Sequence, residues 1–311
     1  MSLLELALKR RKKRYVQLTK TELKGLKRPR VPGISPHKTI LKNELELLKG
    51  EVKKAKTSAF KLSEKTAAGK EILPTRIAGF DELISAGGFE RGSTILISGG
   101  CGTGKTTFAL QSMYFGALRG EKGIYISIEE EPQKLKKHMM NNFGWDFDRL
   151  EKQGKLAIIK YDALEIARSV EAAITNAREE LVIDFKEFEL PFRPDRLAFD
   201  SLSALAVAFG STESYRRYIR YLFEKFEKYN SVNFVLTETE QDPKVYSRAG
   251  IEEFLADGVI VLYNIKVQNF REKALEILKL RSSNHEKTIV PFEITSEGIT
   301  VYPKHEIFRE E

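Results

Sequence analysis

A single cysteine, Cys101, stands among the 311 residues. With no second thiol in the chain, an internal disulfide is excluded and a reducing, cytoplasmic setting is expected. Long hydrophobic runs are missing as well. No apolar stretch approaches the roughly 18 residues of a membrane-spanning helix, so the chain reads as soluble with no membrane role. The opening stretch Met1–Leu8 is too short for a signal-peptide core and is followed, rather than preceded, by its positive charges, which argues against export. Aromatics are scarce over residues 1–70, where only Tyr15 and Phe60 occur, so this part offers no base-stacking platform. Acids are scarce there too: six glutamates face 20 lysines and arginines, a net +14, whereas residues 71–311 hold 38 acids against 32 basic residues.

That asymmetry divides the chain into a basic N-terminal extension, residues 1–72, and a globular domain, residues 73–311. The extension carries the basic run Lys9–Arg14 and the Pro/Gly-bearing stretch Pro29–Pro36. Between Lys38 and Lys56 the apolar residues Ile40, Leu41, Leu45, Leu47 and Leu48 predict a helix, so the extension is read as partly helical or disordered. Its charge fits an arm that neutralises the phosphates of nucleic acid or docks an acidic protein, and equally a solvated tail.

What is present in the globular part begins with Gly99-Gly100-Cys101-Gly102-Thr103-Gly104-Lys105-Thr106-Thr107, which satisfies G-x-x-x-x-G-K-[ST]. It follows the apolar run Thr94–Ser98 and precedes a helical pattern from Thr107 to Leu118. Such a loop folds its backbone N–H groups around phosphate oxygens, and the helix N-terminus adds its positive end. Residues Gly100 to Thr107 are therefore candidate nucleotide contacts. Lys105 is expected at the β- and γ-phosphates and the Thr106 hydroxyl on Mg²⁺, which points to a nucleoside triphosphate.

Further strands end in acids. Gly123–Ile128 is β-branched and aromatic and runs into Glu129, Glu130 and Glu131, after which Pro132 opens a helix. Acids at a strand's carboxyl end in an open α/β sheet are placed to orient an attacking water; the same acids also suit a helix N-terminus, and spacing alone favours that second reading. Arg196–Phe199 leads to Asp200, a Walker-B-like carboxylate for Mg²⁺ opposite Thr106. The helix pattern Tyr215–Tyr229 buries its aromatics as core rather than offering them to nucleic acid. Strand patterns follow at Asn233–Thr237, Gly258–Tyr263, Ala274–Leu280 and Pro291–Thr295, the last two without intervening helices, which predicts antiparallel hairpins finishing the sheet.

The ordered blocks resemble the KaiC-like branch of the RecA-superfamily ATPases, closest to the single-domain KaiC-like proteins of archaea and bacteria. The blocks are Gly79-Phe80-Asp81 with Gly87-Gly88, the P-loop, Glu129-Glu130 before Pro132, Phe143-Gly144-Trp145-Asp146, Phe199-Asp200-Ser201, Ile251–Val259 and Lys279–His285. They cover about residues 73–303 and say nothing of the extension. The resemblance implies an α/β, RecA-like P-loop NTPase core with a mainly parallel central sheet flanked by helices. It implies ATP bound with Mg²⁺ at the interfaces of a homo-oligomeric ring, usually a hexamer. In the family the acid pair matching Glu129 and Glu130 activates water, which turns the balance toward a catalytic role. Lys279 and Arg281 match positions that reach the neighbouring subunit's triphosphate, and Ser283 and His285 match positions near that nucleotide. Where the family commonly has glycine, this chain has Ser282.

The expected activity is ATP hydrolysis by in-line attack of water. Two alternatives stand beside it: a nucleotide-gated scaffold without turnover, and a nucleic-acid-binding protein related to recombinases. Against the latter, the loops Ala206–Ser214 and Glu238–Gly250 are not notably basic. No Ser or Thr is singled out for autophosphorylation.

Overall fold

The computed structural model describes residues 71–176, 188–240, 246–247, 249–267 and 269–305. The basic arm and the helix expected at Lys38–Lys56 lie outside the described residues. The chain enters through a two-stranded ribbon, β1 (Ile72–Leu73) antiparallel to β2 (Phe89–Glu90). Glu71 is already engaged there, accepting from the Arg91 guanidinium at 2.8 Å.

After the ribbon come β3 (Thr94–Gly99), α1 (Lys105–Ala117), β4 (Gly123–Ser127), α2 (Pro132–Phe143), α3 (Phe147–Lys152), β5 (Leu156–Lys160) and α4 (Ala163–Asn176). The second half runs β6 (Arg196–Asp200), α5 (Leu202–Ala208), α6 (Thr212–Tyr229), β7 (Val232–Glu238), α7 (Glu252–Leu255), β8 (Gly258–Val267), β9 (Phe270–Leu280), β10 (Val290–Thr295) and β11 (Gly298–Val301). β3 to β11 form one sheet in the order β11-β10-β9-β8-β3-β7-β6-β4-β5. From β8 to β5 every pairing is parallel; β9, β10 and β11 continue antiparallel.

Strand residues alternate between two cores, as a period of two requires. Ile95, Ile97, Tyr125, Ala198, Phe234 and Leu236 face one core with Phe108 and Met113 of α1 and with Trp145. Leu96, Ile124, Ile126, Leu197, Phe199 and Val235 face the other, with α5 and α6. Tyr215, Tyr218, Ile219, Leu222, Phe223 and Phe226 of α6 are all buried, as the core reading of its aromatics expected. On the α1 side Phe80, Phe108 and Phe234 meet edge-to-face at 5.0 and 6.1 Å, each large ring burial contributing about 1.5–3 kcal/mol.

This order positions the site. β3 lies in mid-sheet between β7 and β8, while its sequence successor β4 lies beyond β6. Crevices outside the carboxyl ends of parallel strands form where the order changes in this way. The ends of β3, β4, β6 and β7 meet there. The expected antiparallel pairings are present, β9 with β8 and β10 with β9, and β11 adds one the pattern did not announce.

Candidate functional site

The loop from Gly99 to Gly104 links β3 to α1, and its conformation needs glycine. Gly102 and Gly104 have φ of +71° and +104°, and a Cβ at Gly104 would meet Ile294 Cδ1 at 2.7 Å. Gly104 is the N-cap of α1, so no side chain caps that helix. The orphan N–H groups of its first turn are left for an anion. Thr103 braces the loop by donating to the Gly100 carbonyl at 2.9 Å, while Cys101 is exposed.

Lys105 is buried, with Nζ donating to the carbonyls of Gly99 at 2.9 Å and Gly100 at 3.1 Å. Glu238, at the end of β7, lies 3.9 Å from the same ammonium. Burial holds the Lys105 pKa below the usual lysine value, against the opposing pull of Glu238 and Asp200. An incoming anion would relieve that cost.

Asp200 closes the other side. Its Oδ2 accepts from the Thr106 hydroxyl at 2.8 Å and from the Tyr125 hydroxyl. Burial raises its pKa, and these two donors offset part of the rise. The two acids after β4 differ. Glu129 Oε1 accepts from the Ser201 hydroxyl at 2.6 Å, and its charge acts on both Lys105 and Asp200. Glu130 is tied backward: its N–H meets Ser127 Oγ at 3.1 Å and its half-exposed carboxylate lies 3.6 Å from Lys134.

Lys279, Arg281, Ser283 and His285 are elsewhere. In the β8–β9 register Gly258 pairs with Leu280, and Gly258 also pairs with Ile95 near the start of β3. The end of β9 therefore lies at the opposite edge of the sheet from the phosphate loop, a strand length of roughly 20 Å away. Lys279 Nζ donates to the carbonyls of Glu253 at 3.0 Å and Ala256 at 2.7 Å, and Arg281 donates to Phe254 O at 2.9 Å. Ser283 Oγ accepts from Ala86 N at 3.1 Å, and Glu286 N donates to Leu83 O at 2.8 Å, so this turn is pinned to residues 83–86. His285 Nδ1 is buried without a hydrogen-bond partner. Among the described residues only Arg76 and Asn230 are non-glycines with positive φ, so Ser282 has no glycine conformation to supply.

A buried phosphate-loop lysine, a threonine–aspartate pair and acids at three neighbouring strand ends agree with what comparison with known proteins finds. The family model described as "ATPase: KaiC" matches residues 73–306. The chain belongs to the KaiC family. The circadian clock oscillator protein KaiC of Acaryochloris marina is 32% identical over 257 residues, covering 81% of this chain and 48% of that protein. The circadian clock protein KaiC3 of Synechocystis is 31% identical over 236 residues, covering 76% of this chain and 46% of that one. The chain thus spans about half the length of these KaiC relatives. The crystal structure of a KaiC-like protein from the hyperthermophilic archaeon Pyrococcus horikoshii superposes with a TM-score of 0.62 at 35% identity, covering 75% of this chain and all of that one. The RecA-like α/β core and membership of a P-loop ATPase family follow.

Three residues of this KaiC-family site escape a reading by motif. Tyr125 sits inside a strand pattern where its hydroxyl carries no sequence signal. Ser201 reads only as the residue after the strand-end acid. Lys273 of β9 donates to the Gly102 carbonyl at 2.5 Å, a contact spanning 171 residues of sequence.

Proposed function

We propose that the chain binds ATP with Mg²⁺ and hydrolyses it. The observation that carries this reading is the junction of α1 with β6: the Thr106 hydroxyl bonded to the Asp200 carboxylate beside a buried Lys105 at an uncapped helix N-terminus. The donor set fits Mg²⁺, which takes one or two protein oxygens and leaves its other positions to phosphates and water. Among the described residues no cluster of three or more His, Cys, Asp or Glu forms an all-protein metal cage. Thr106 and Asp200 would hold the ion, which when bound draws charge from the β- and γ-phosphate oxygens.

The chain's own groups supply the rest. Lys105 exchanges its carbonyl partners for phosphate oxygens and keeps its charge there. Glu129, oriented by Ser201, aligns the attacking water and accepts its proton; Glu130, paired with Lys134, is the lesser candidate. Because Arg281 lies at the far edge of the sheet, it serves the phosphate loop of a second copy, with Lys279, Ser283 and His285 on the same face. That arrangement supports a ring, and the family resemblance a hexamer. Residues 73–311 form this ATPase domain, working in the cytoplasm, and residues 1–72 a basic arm for nucleic acid or an acidic protein.

The test measures phosphate release and binding of fluorescently labelled ATP separately. Lys105→Ala is expected to lose both. Glu129→Gln is expected to keep binding while turnover falls by about 100-fold or more, the usual range for a lost general base. Wild-type protein that binds labelled ATP but releases no phosphate would replace the enzyme with a nucleotide-gated scaffold; no binding at all would end the reading.

A further inference from the structure

Tyr125 is fully buried on β4, on the face that packs against α1. Its neighbour strand is β6, with Tyr125 opposite Ala198 and Ser127 opposite Asp200. Side chains two apart on a strand share a face, so the phenol lies diagonally beside the Asp200 carboxylate. A phenylalanine would fill the same apolar space. The hydroxyl costs desolvation unless it finds a partner, and the partner it finds is Asp200 Oδ2, the oxygen that Thr106 also addresses. Thr106 is on the loop side and has a second task, toward the metal. Tyr125 is embedded in the central sheet, and its hydroxyl faces this Asp200–Thr106 pair.

We propose that Tyr125 is a positioning residue for the metal: its buried hydroxyl holds the Asp200 carboxylate in the rotamer that faces Thr106, so that the two oxygens are preset for Mg²⁺. The proposal rests on the nucleotide-site reading above. Groups that hydrogen-bond a metal-binding carboxylate or imidazole typically contribute 10- to 100-fold to metal affinity, because the bound metal otherwise has to order its own ligand.

The experiment uses full-length Tyr125→Phe, which removes one oxygen and keeps the ring. Binding of fluorescently labelled ATP is titrated with Mg²⁺ and repeated in EDTA, alongside thermal melting. The Mg²⁺ midpoint is expected to rise about tenfold or more, with binding in EDTA and the melting temperature little changed. In an Asp200→Asn background the same Tyr125→Phe change is expected to add nothing to the midpoint. A variant that melts lower at an unchanged Mg²⁺ midpoint would make the hydroxyl purely structural and overturn the proposal. A further tenfold loss on top of Asp200→Asn would mean that the hydroxyl acts elsewhere, and would overturn it too. If wild-type binding itself shows no Mg²⁺ dependence, the metal-site reading falls and takes this one with it.

Discussion

Replacing Asp81 by asparagine tests a piece of electrostatics that lies away from the phosphate loop. The Asp81 carboxylate is buried and closes a turn by accepting from Thr75 N at 2.7 Å, Thr75 Oγ1 at 2.8 Å and Arg76 N at 2.9 Å. Arg76 has φ +64°, so the turn is one that few side chains adopt freely. Burial pushes the Asp81 pKa from 3.8 up to about 6, although Thr75 and Arg76 stabilise the charged form. A folded pKa above the unfolded one means that the native state binds the proton more tightly between those two values. This group's contribution to stability therefore rises as pH falls through about 6 toward 4, and is lost as pH rises back through 6. At about 1.4 kcal/mol per pH unit, and with the transition nearly complete at pH 4, the gain between pH 7 and pH 4 is about 2.5 kcal/mol.

Other carboxylates titrate in the opposite sense, so the difference between wild type and Asp81→Asn is the quantity to follow. Glu121 is one: burial would raise its pKa, but Arg196 and Arg76 bring it below the ordinary value, and its contribution is lost on acidification. An amide at position 81 cannot take up a proton in this range. Urea unfolding of both proteins at pH 7, 6, 5 and 4 is expected to show the wild-type advantage widening by about 2.5 kcal/mol toward pH 4. A gap that stays flat or narrows on acidification would refute the argument. The consequence reaches Ser283 and Glu286 through residues 83–86, which follow this turn and hold them.

Glu130→Gln is expected to change phosphate release by less than about threefold, a surface-pair effect, against the far larger loss in Glu129→Gln; equal losses would return the two acids to a shared role. Arg281→Ala and Lys105→Ala proteins, each inactive alone, are expected to regain part of the turnover on mixing, because some interfaces of the proposed ring then join an intact phosphate loop to an intact Arg281. No recovery in a mixture shown to share assemblies would remove Arg281 from the neighbour's site. Full-length protein is expected to bind single-stranded DNA without sequence preference and with steep loss on adding salt, and deletion of residues 1–70 to abolish that binding while leaving basal turnover intact. Equal filter binding by both forms would move the interaction to the core.

Much of this site is legible in the sequence because it is local. The phosphate loop is nine consecutive residues, Gly99 to Thr107, and its neighbours announce a strand and a helix. Glu129 and Asp200 are visible for the same reason: each ends an apolar run, and carboxyl ends of parallel strands gather on one edge. The strand order is not legible, since right-handed crossovers permit β4 beside β3 as readily as with two strands between them. The contacts that differentiate the acids are equally hidden. Ser201 reaches Glu129 across 72 residues, and Tyr125 reaches Asp200 across 75, so neither exists until the sheet has assembled. Strands β1 and β11 escape the pattern because two and four residues are too few to display a period.

One strand runs from the phosphate loop to the residues at the opposite end of the sheet. β9 begins near the phosphate loop, where Lys273 opposes Asn264 and bonds Gly102, and ends beside the start of β3, where Arg281 N donates to Asp257 O at 2.9 Å. A stiff strand cannot bring both ends to one nucleotide: eight residues of it span roughly 26 Å. Arg281 therefore cannot serve the phosphate loop of its own chain. The two basic residues near that end are also unequal. The Lys279 ammonium has three donors, and carbonyls of Glu253, Phe254 and Ala256 occupy its surroundings at 3.0, 3.5 and 2.7 Å. Arg281 is more than half exposed and commits one nitrogen to Phe254 O, with Asp257 at 3.8 Å. A guanidinium has five donors in a rigid fork, so after these contacts it still presents some to an oxyanion. Lys279 suits the task of cementing α7 to the strand, and Arg281, carried on that fixed base, suits the task proposed for it above.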